Sequence, residues 1–170
     1  KLYSLKPNDG SGDFSFSRNS VKWVRGKDGY YREVAANIPA LEWDEASQKF
    51  RVLVEPQATN VLLRSWDFSN AYWTKSGVTI DNNAGAGYDC PFVDSSGVNL
   101  KRGFKLTATS AGGYIRLATA LTITAAKAYS NSIFVKRLTG TGAVSLIDTN
   151  GTDRSITITT DWQRFSYTDI

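Results

Sequence analysis

Residues 64–75, RSWDFSNAYWTK, crowd three large rings, Trp66, Tyr72 and Trp73, around an amide, Asn70, a carboxylate, Asp67, and an amine, Lys75. An aromatic face accepts the apolar CH patch of a sugar ring, and neighbouring amides and carboxylates accept its hydroxyls, so this composition suits a carbohydrate. The same rings suit a plug at one end of a β-sandwich, because large aromatics supply much of a core's burial. Both readings stay open at this point. The carbohydrate reading takes Trp66, Tyr72, Trp73 and Asn70 as its site.

Other groupings promise less. Glu42, Asp44 and Glu45 form one local cluster, whereas glycoside hydrolysis needs two carboxylates held about 5 to 9.5 Å apart across a cleft. Asp81, Asp89 and Asp94, with Asn82 and Asn83, offer oxygens to a hard ion such as Ca²⁺, but without a fixed ligand spacing they read more simply as solvated turn residues. The chain has no histidine and a single cysteine, Cys90. That removes Ser-His-Asp and Cys-His catalysis, histidine-containing zinc sites and any internal disulfide. Cys90, beside Pro91 and Phe92, reads as a small buried hydrophobe. Neither a catalytic residue nor a metal or cofactor site is expected.

The net charge is +4 over 170 residues, too small to argue for nucleic acid by itself. Residues 1–33 hold seven basic and four acidic side chains, so most of the excess lies near the start. The hairpin-like VKWVRGKDGYYREV interleaves Lys22, Arg25, Lys27 and Arg32 with Trp23, Tyr30 and Tyr31. That pattern suits single-stranded nucleic acid, and equally suits solvated charges that guard an edge hairpin against wrong pairing. No nucleic-acid partner is expected. No apolar run approaches the roughly 18 residues that a membrane-spanning helix needs.

The elements that must position these side chains are strands. Ile156 and Ile158 alternate with Ser155, Thr157 and Thr159, and Leu121 and Ile123 with Thr122 and Thr124. Tyr129, Asn131, Ile133 and Val135 share one parity, and Phe14 and Phe16 share another. Such period-2 runs predict half-buried antiparallel strands, and turn signals at short intervals (Lys27-Asp28-Gly29, Asn82 to Gly85, Ala111-Gly112-Gly113, Asn150-Gly151) separate them. Helical windows are scarce, with DEASQK at 44–49 fit for one turn. This spacing predicts an all-β chain arranged as a sandwich or barrel.

Two regions differ. Residues 1–59 hold a polar strand, the basic hairpin, a Pro-containing connector (AANIPALEWD) and the strand FRVLVEP, which Glu55-Pro56 ends because proline cannot donate to a ladder. From residue 60 the strands are apolar enough for a two-sheet core, with Val61-Leu62-Leu63 read as its first strand, buried on both sides. The first segment must order Trp23, Tyr30, Tyr31, Ile38, Leu41 and Trp43 on short polar strands. A lone hairpin is marginal in water, so those rings are expected to be covered by an assembly partner or by the sandwich of the same chain.

FSFSRNS, then DGYYREVAANIPALEWD, then VLVEPQATNVLLRSWDFSNAYWTKSGVTI resembles a pattern widespread in bacteriophage virion proteins: FxFxRxS, an AANxPRxDY-like segment and LLLEPxxTNLLLxSExF. The chain departs from it at Ala40, where a basic residue is usual, at Trp43 for Tyr, and at Asp67. The second half, with Tyr129, Val135-Lys136 and Trp162-Gln163-Arg164, is similar to the jelly-roll carbohydrate-binding modules of glycanases and phage tail proteins. The resemblance implies an antiparallel jelly roll over 60–170 preceded by an extended β-hairpin segment over 1–59. It further implies a non-enzymatic tail or head fibre component in the virion, a homotrimer bound to other virion proteins, and host glycan as ligand. The alternative is a carbohydrate-binding module of a secreted polysaccharide-degrading enzyme. Methionine is absent throughout, and a jelly roll would continue past Ile170, so the chain is expected to be a piece of a longer polypeptide.

Overall fold

The computed structural model describes residues 16–55, 59–122, 124, 127–147 and 151–169. They form an all-β chain with a single short 3₁₀ turn, Asn83–Gly85. Among them no helix is long and apolar enough to cross a membrane. The chain divides into two compact units: described residues up to Glu55 together with Phe92–Val98, and the stretches 59–91 and 99 onward.

The first unit starts from the basic hairpin. Strands β1 (Lys22–Arg25) and β2 (Tyr31–Val34) pair antiparallel, Lys22 opposite Val34 and Arg25 opposite Tyr31. Gly29, at φ +82°, supplies the left-handed residue of their turn. The Asp28 carboxylate locks that turn by accepting from the Tyr30 N–H and from both terminal nitrogens of Arg32. A second hairpin follows, β3 (Leu41–Asp44) and β4 (Lys49–Val52), extended one step by Leu53 N–H donating to the Ala40 carbonyl. The DEASQK window is its turn: Asp44 accepts from the Ala46 N–H and the Ser47 hydroxyl. The strand expected to run to Glu55 ends at Val52, and Pro56 lies outside the described residues.

The remainder of the chain crosses the second unit as β5 (Trp73–Ser76), β6 (Val78–Asp81), β7 (Phe92–Val93), β8 (Lys105–Ala108), β9 (Tyr114–Leu117), β10 (Tyr129–Val135), β11 (Val144–Ile147), β12 (Asp153–Ile156) and β13 (Gln163–Asp169), of which β7 belongs to the first unit. It pairs parallel with β2, Tyr31 opposite Phe92 and Arg32 opposite Val93. A boundary at residue 59 or 60 does not anticipate this. The physical reason is the thin hairpin: Phe92 sets its ring edge-on to Trp23 at 5.1 Å and beside Tyr31 at 5.7 Å, and Val93 is buried. Val24, Ala40, Trp43 and Val93 are the buried apolar residues of the first unit among those described. Trp43 has the Lys27 ammonium over its ring and Phe50 at its edge, while Tyr30, Ile38 and Leu41 remain exposed.

In the second unit β5 pairs with β9 and β6 with β8, all antiparallel. Only Gly77 separates β5 from β6, and its carbonyl accepts from the Thr109 and Ser110 N–H groups at the loop 109–113 that joins β8 to β9. The longest ladder joins β10 to β13 over seven residue pairs, with Asn131 opposite Tyr167 and Ile133 opposite Phe165, as the shared parity of Tyr129, Ile133 and Val135 requires. β11 pairs with β12. Arg137 staples the adjoining loop by donating to the carbonyls of Ile158, Gly140 and Gly142.

No described sheet exceeds three strands. The all-β class stands, and two broad facing sheets are not among the described pairings. Val61-Leu62-Leu63 is not a strand: Val61 is exposed and Leu63 is 79% exposed. Asn60 draws those residues into a turn instead, its side-chain carbonyl accepting from Leu62 N–H. Leu121, Thr122 and Thr124 carry no strand either, and Ile123 and Phe14 fall outside the described residues.

Candidate functional site

The chain enters the aromatic segment through consecutive side-chain-capped turns. Asp67 accepts from the N–H and hydroxyl of Ser69, and Asn70 accepts from the Tyr72 N–H at 2.9 Å. These short polar residues hold the backbone in turns by satisfying its own donors. The Ser69 hydroxyl is the main reason the Asp67 carboxyl titrates below the usual carboxylate range. Lys75, reaching back from β5, donates to the carbonyls of Ser69 and Asn70.

The turns present the rings unequally. Trp73 opens β5, packs tilted on Phe68 at 5.1 Å and takes Tyr72 edge-on at 5.5 Å, while its indole N–H donates to the Arg64 carbonyl. Phe104 adds a further edge contact to Phe68. Tyr72 and Trp73 are half-buried in this cluster. Trp66 stands outside it, 60% exposed. So the structure brings Asn70, Tyr72 and Trp73 together around a turn whose polar atoms are largely occupied, and leaves Trp66 as the accessible ring. Sequence reasoning missed Phe104 and Arg64. Phe104 carries a signal, a lone aromatic directly after a glycine, but its distance along the chain hid the contact.

Two of the three clustered carboxylates, Asp44 and Glu45, have internal partners. Asp44 faces Arg51 at 2.7 Å besides its two turn donors, and the Ser47 hydroxyl first among these holds its carboxyl below the ordinary value. Glu45 accepts from the Trp43 indole N–H and lies 3.6 Å from Arg25. An open hollow of about 400 Å³ runs along Glu42 to Glu45 and Arg51 to Val54.

The candidate ion loop also separates. Asp81 accepts from Tyr88 hydroxyl at 2.6 Å and from the Asn83 N–H, Asp89 pairs with Lys101, and Asp94 closes its own loop by accepting from Ser96 and Val98 N–H. Among the described residues no group of three His, Cys, Asp or Glu side chains gathers as a metal site. Cys90 is buried, as its apolar neighbours suggest, and Asn99 brackets it by accepting from its N–H and donating to its carbonyl.

Residues of the FSFSR, AAN and EP segments meet in the first unit. Arg18 of FSFSR and Asn37 of AAN exchange hydrogen bonds, Arg18 N–H to the Asn37 side-chain carbonyl at 3.1 Å and Asn37 N–H to the Arg18 carbonyl at 3.0 Å. The Arg18 guanidinium then caps the carbonyls of Ser20, Val34 and Ala35. Asn37 sits at φ 60°, a conformation that asparagine tolerates better than most residues. Glu55, of the EP pair, meets Lys22 at the start of β1. The motif spacing is thus that of a knot tying a hairpin's two ends to the segment before it.

No protein-family model, curated protein or solved structure matches the chain.

Proposed function

We propose that this chain is a non-enzymatic structural component of a bacteriophage virion, part of a tail or head fibre or adhesion protein. In this reading residues from about 60 form a jelly roll that meets host-surface glycan, and residues 1–59 join a homotrimer and neighbouring virion proteins. The observation that carries it is an imbalance. Six apolar residues are buried among the described ones, against sixteen large apolar side chains left exposed. A free-standing monomer that exposes so much beside so small a core is poorly stabilised, whereas a component of an assembly completes its burial against partners. The engagement of Asp44 and Glu45 in internal pairs supports a role without catalysis. The test is immunogold labelling, with antibody to this chain, of particles purified from cultures that carry its gene. Labelled tails or capsids are expected; particles without label reject the reading.

A carbohydrate-binding module of a secreted glycanase is the second reading, favoured by the exposed Trp66 ring. In both readings stacking on Trp66 gives weak single-site affinity, on the order of micromolar to millimolar, which repeated copies multiply. The two part over the first unit, because a glycanase module has no need of the Arg18–Asn37 knot. Culture supernatant in which the chain appears fused to a polysaccharide-degrading enzyme, and not in particles, selects the second.

A further inference from the structure

The β3–β4 hairpin is divided by face. Its register sets Leu41 opposite Val52, Glu42 opposite Arg51, Trp43 opposite Phe50 and Asp44 opposite Lys49. Cross-strand partners share a side and neighbours alternate. Leu41, Trp43, Phe50 and Val52 therefore line one face, and Glu42, Asp44, Lys49 and Arg51 the other. Trp43 is only 9% exposed, with the Lys27 ammonium over its ring and Phe50 at its edge. The other three are about half exposed, Phe50 at 55%, and Val54 just past the strand is 86% exposed. Together they leave on the order of 400 Å² of apolar surface, the size of the largest patch that typical monomers show and one often functional.

The charged face indicates what fits beside it. Both acids lie on β3 and both bases on β4, so one long edge of the hairpin is acidic and the other basic. Among the described residues no further strand pairs with either edge. An identical hairpin laid alongside, β4 against its β3, brings Lys49 and Arg51 next to Glu42 and Asp44 and continues the apolar face unbroken. Pairing β4 with β4 sets base against base, the arrangement by which edge strands repel one another.

We infer that the occupant is a second copy of this chain, joined head to tail through the β4 edge of one and the β3 edge of the next. Such a contact repeats until a ring closes. The apolar patch supplies about half of the roughly 800 Å² that each partner buries in a standard interface, and the edge ladder with its charges supplies the remainder. The inference names the partner surface within the virion reading. A chain absent from particles that still self-associates through these strands sinks that reading and leaves this one intact.

Light scattering on residues 1–170 at micromolar concentration tests it. The unaltered chain is expected to be multimeric. Glu42→Lys, which cancels the charge of the β3 edge, and Arg51→Glu, which cancels that of the β4 edge, are each expected to weaken self-association at least tenfold. Their equimolar mixture is expected to reassociate, a rescue that simple misfolding of the single variants cannot produce, and the combined E42K/R51E chain, which also restores the pair across its own hairpin, is expected to assemble on its own. Phe50→Lys is expected to give a monomer with an unchanged β-type circular dichroism spectrum. A monomeric unaltered chain, variants that assemble undiminished, or a mixture and a combined chain that stay monomeric each overturn the inference.

Discussion

The two units solve the same packing problem with unequal success. The first, much the shorter, holds Val24, Ala40, Trp43 and Val93 out of solvent. The second, with most of the chain, holds Cys90 and Ile156. Apolar content does not explain this, since the second unit contains Leu63, Leu106, Leu138 and Ile147, all exposed. Layering does. In the first unit a third strand from residues 92–93, with Phe92 edge-on to Trp23, and the Arg18 knot build onto the first hairpin, and the Lys27 ammonium over Trp43 and the Arg25–Glu45 pair bring the second hairpin against it. In the second the strands are spent in two-stranded ribbons, and a ribbon alone has no second layer to hide its apolar face. The first unit is therefore held by a core and a knot, and the second by turns and close backbone approaches.

The largest effects should divide along that line. Trp43→Ala removes the biggest side chain buried in the first unit and should cost about 3–4 kcal/mol, read as a shift of the urea midpoint followed by circular dichroism. In the second unit the sensitive positions are glycines. A Cβ on Gly87, at φ +69°, would overlap the Lys101 carbonyl, and one on Gly103 would overlap the Asp89 carbonyl, where the Tyr88–Gly103 bridge brings backbones together. Gly87→Ala should therefore destabilise by about 3 kcal/mol, from backbone strain and a displaced strand, while Ala40→Gly in the first unit costs about 1 kcal/mol. Equal losses for Trp43→Ala and Trp66→Ala would erase the contrast.

Next in size are the arginine knots, one in each unit. Arg18→Ala strips three carbonyl caps and Arg137→Ala another three. Three hydrogen bonds from a charged donor support a loss of about 2 kcal/mol in each case. Amide hydrogen exchange locates it. Protection should fall around residues 34–37 for the first variant and 137–142 for the second, without crossing from one unit to the other. Loss spread evenly over both would show the units to be one cooperative body.

A smaller effect is set by pH. Arg32 foremost, with the Tyr30 N–H, holds the Asp28 carboxyl down to about 2. A folded-state pKa below the ordinary carboxylate value near 4 stabilises the fold above that value, and the contribution disappears as pH falls from about 4 toward 2. Asp28 and Arg32 are about half and a third exposed, so solvent screening leaves the pair under about 1 kcal/mol. Asp28→Asn should flatten the first unit's acid transition over that window and leave the second unit's unchanged. Least of all for stability is Trp66→Ala, within about 0.5 kcal/mol for an exposed ring. Its expected consequence is lost retention on a host-glycan column by a multimeric form. Retention equal to the unaltered protein removes Trp66 from the binding surface.

Local pattern determined much of this protein in advance. Alternation in Tyr129 to Val135 was enough to assign the parity of β10, because a pleated strand has a period of two whatever it packs against. Lys27-Asp28-Gly29 was enough for the first turn, and an apolar setting was enough to bury Cys90. The missing histidines closed off whole classes of catalysis. Tertiary structure alone decided the remainder, since each such case depends on a partner distant in sequence. Val61-Leu62-Leu63 has the composition of a buried strand but no ladder to join, so it turns and stays exposed. Phe92-Val93 is too short to read as a strand, yet it completes the first unit because β2 offers it an edge and Trp23 a ring. Trp66 and Trp73 look alike on paper, and only the position of Phe68 and the Arg64 carbonyl buries one against neighbours and leaves the other to solvent. Periodicity is a property of the chain, whereas burial belongs to pairs of surfaces, and a surface becomes an interior only when something is placed against it.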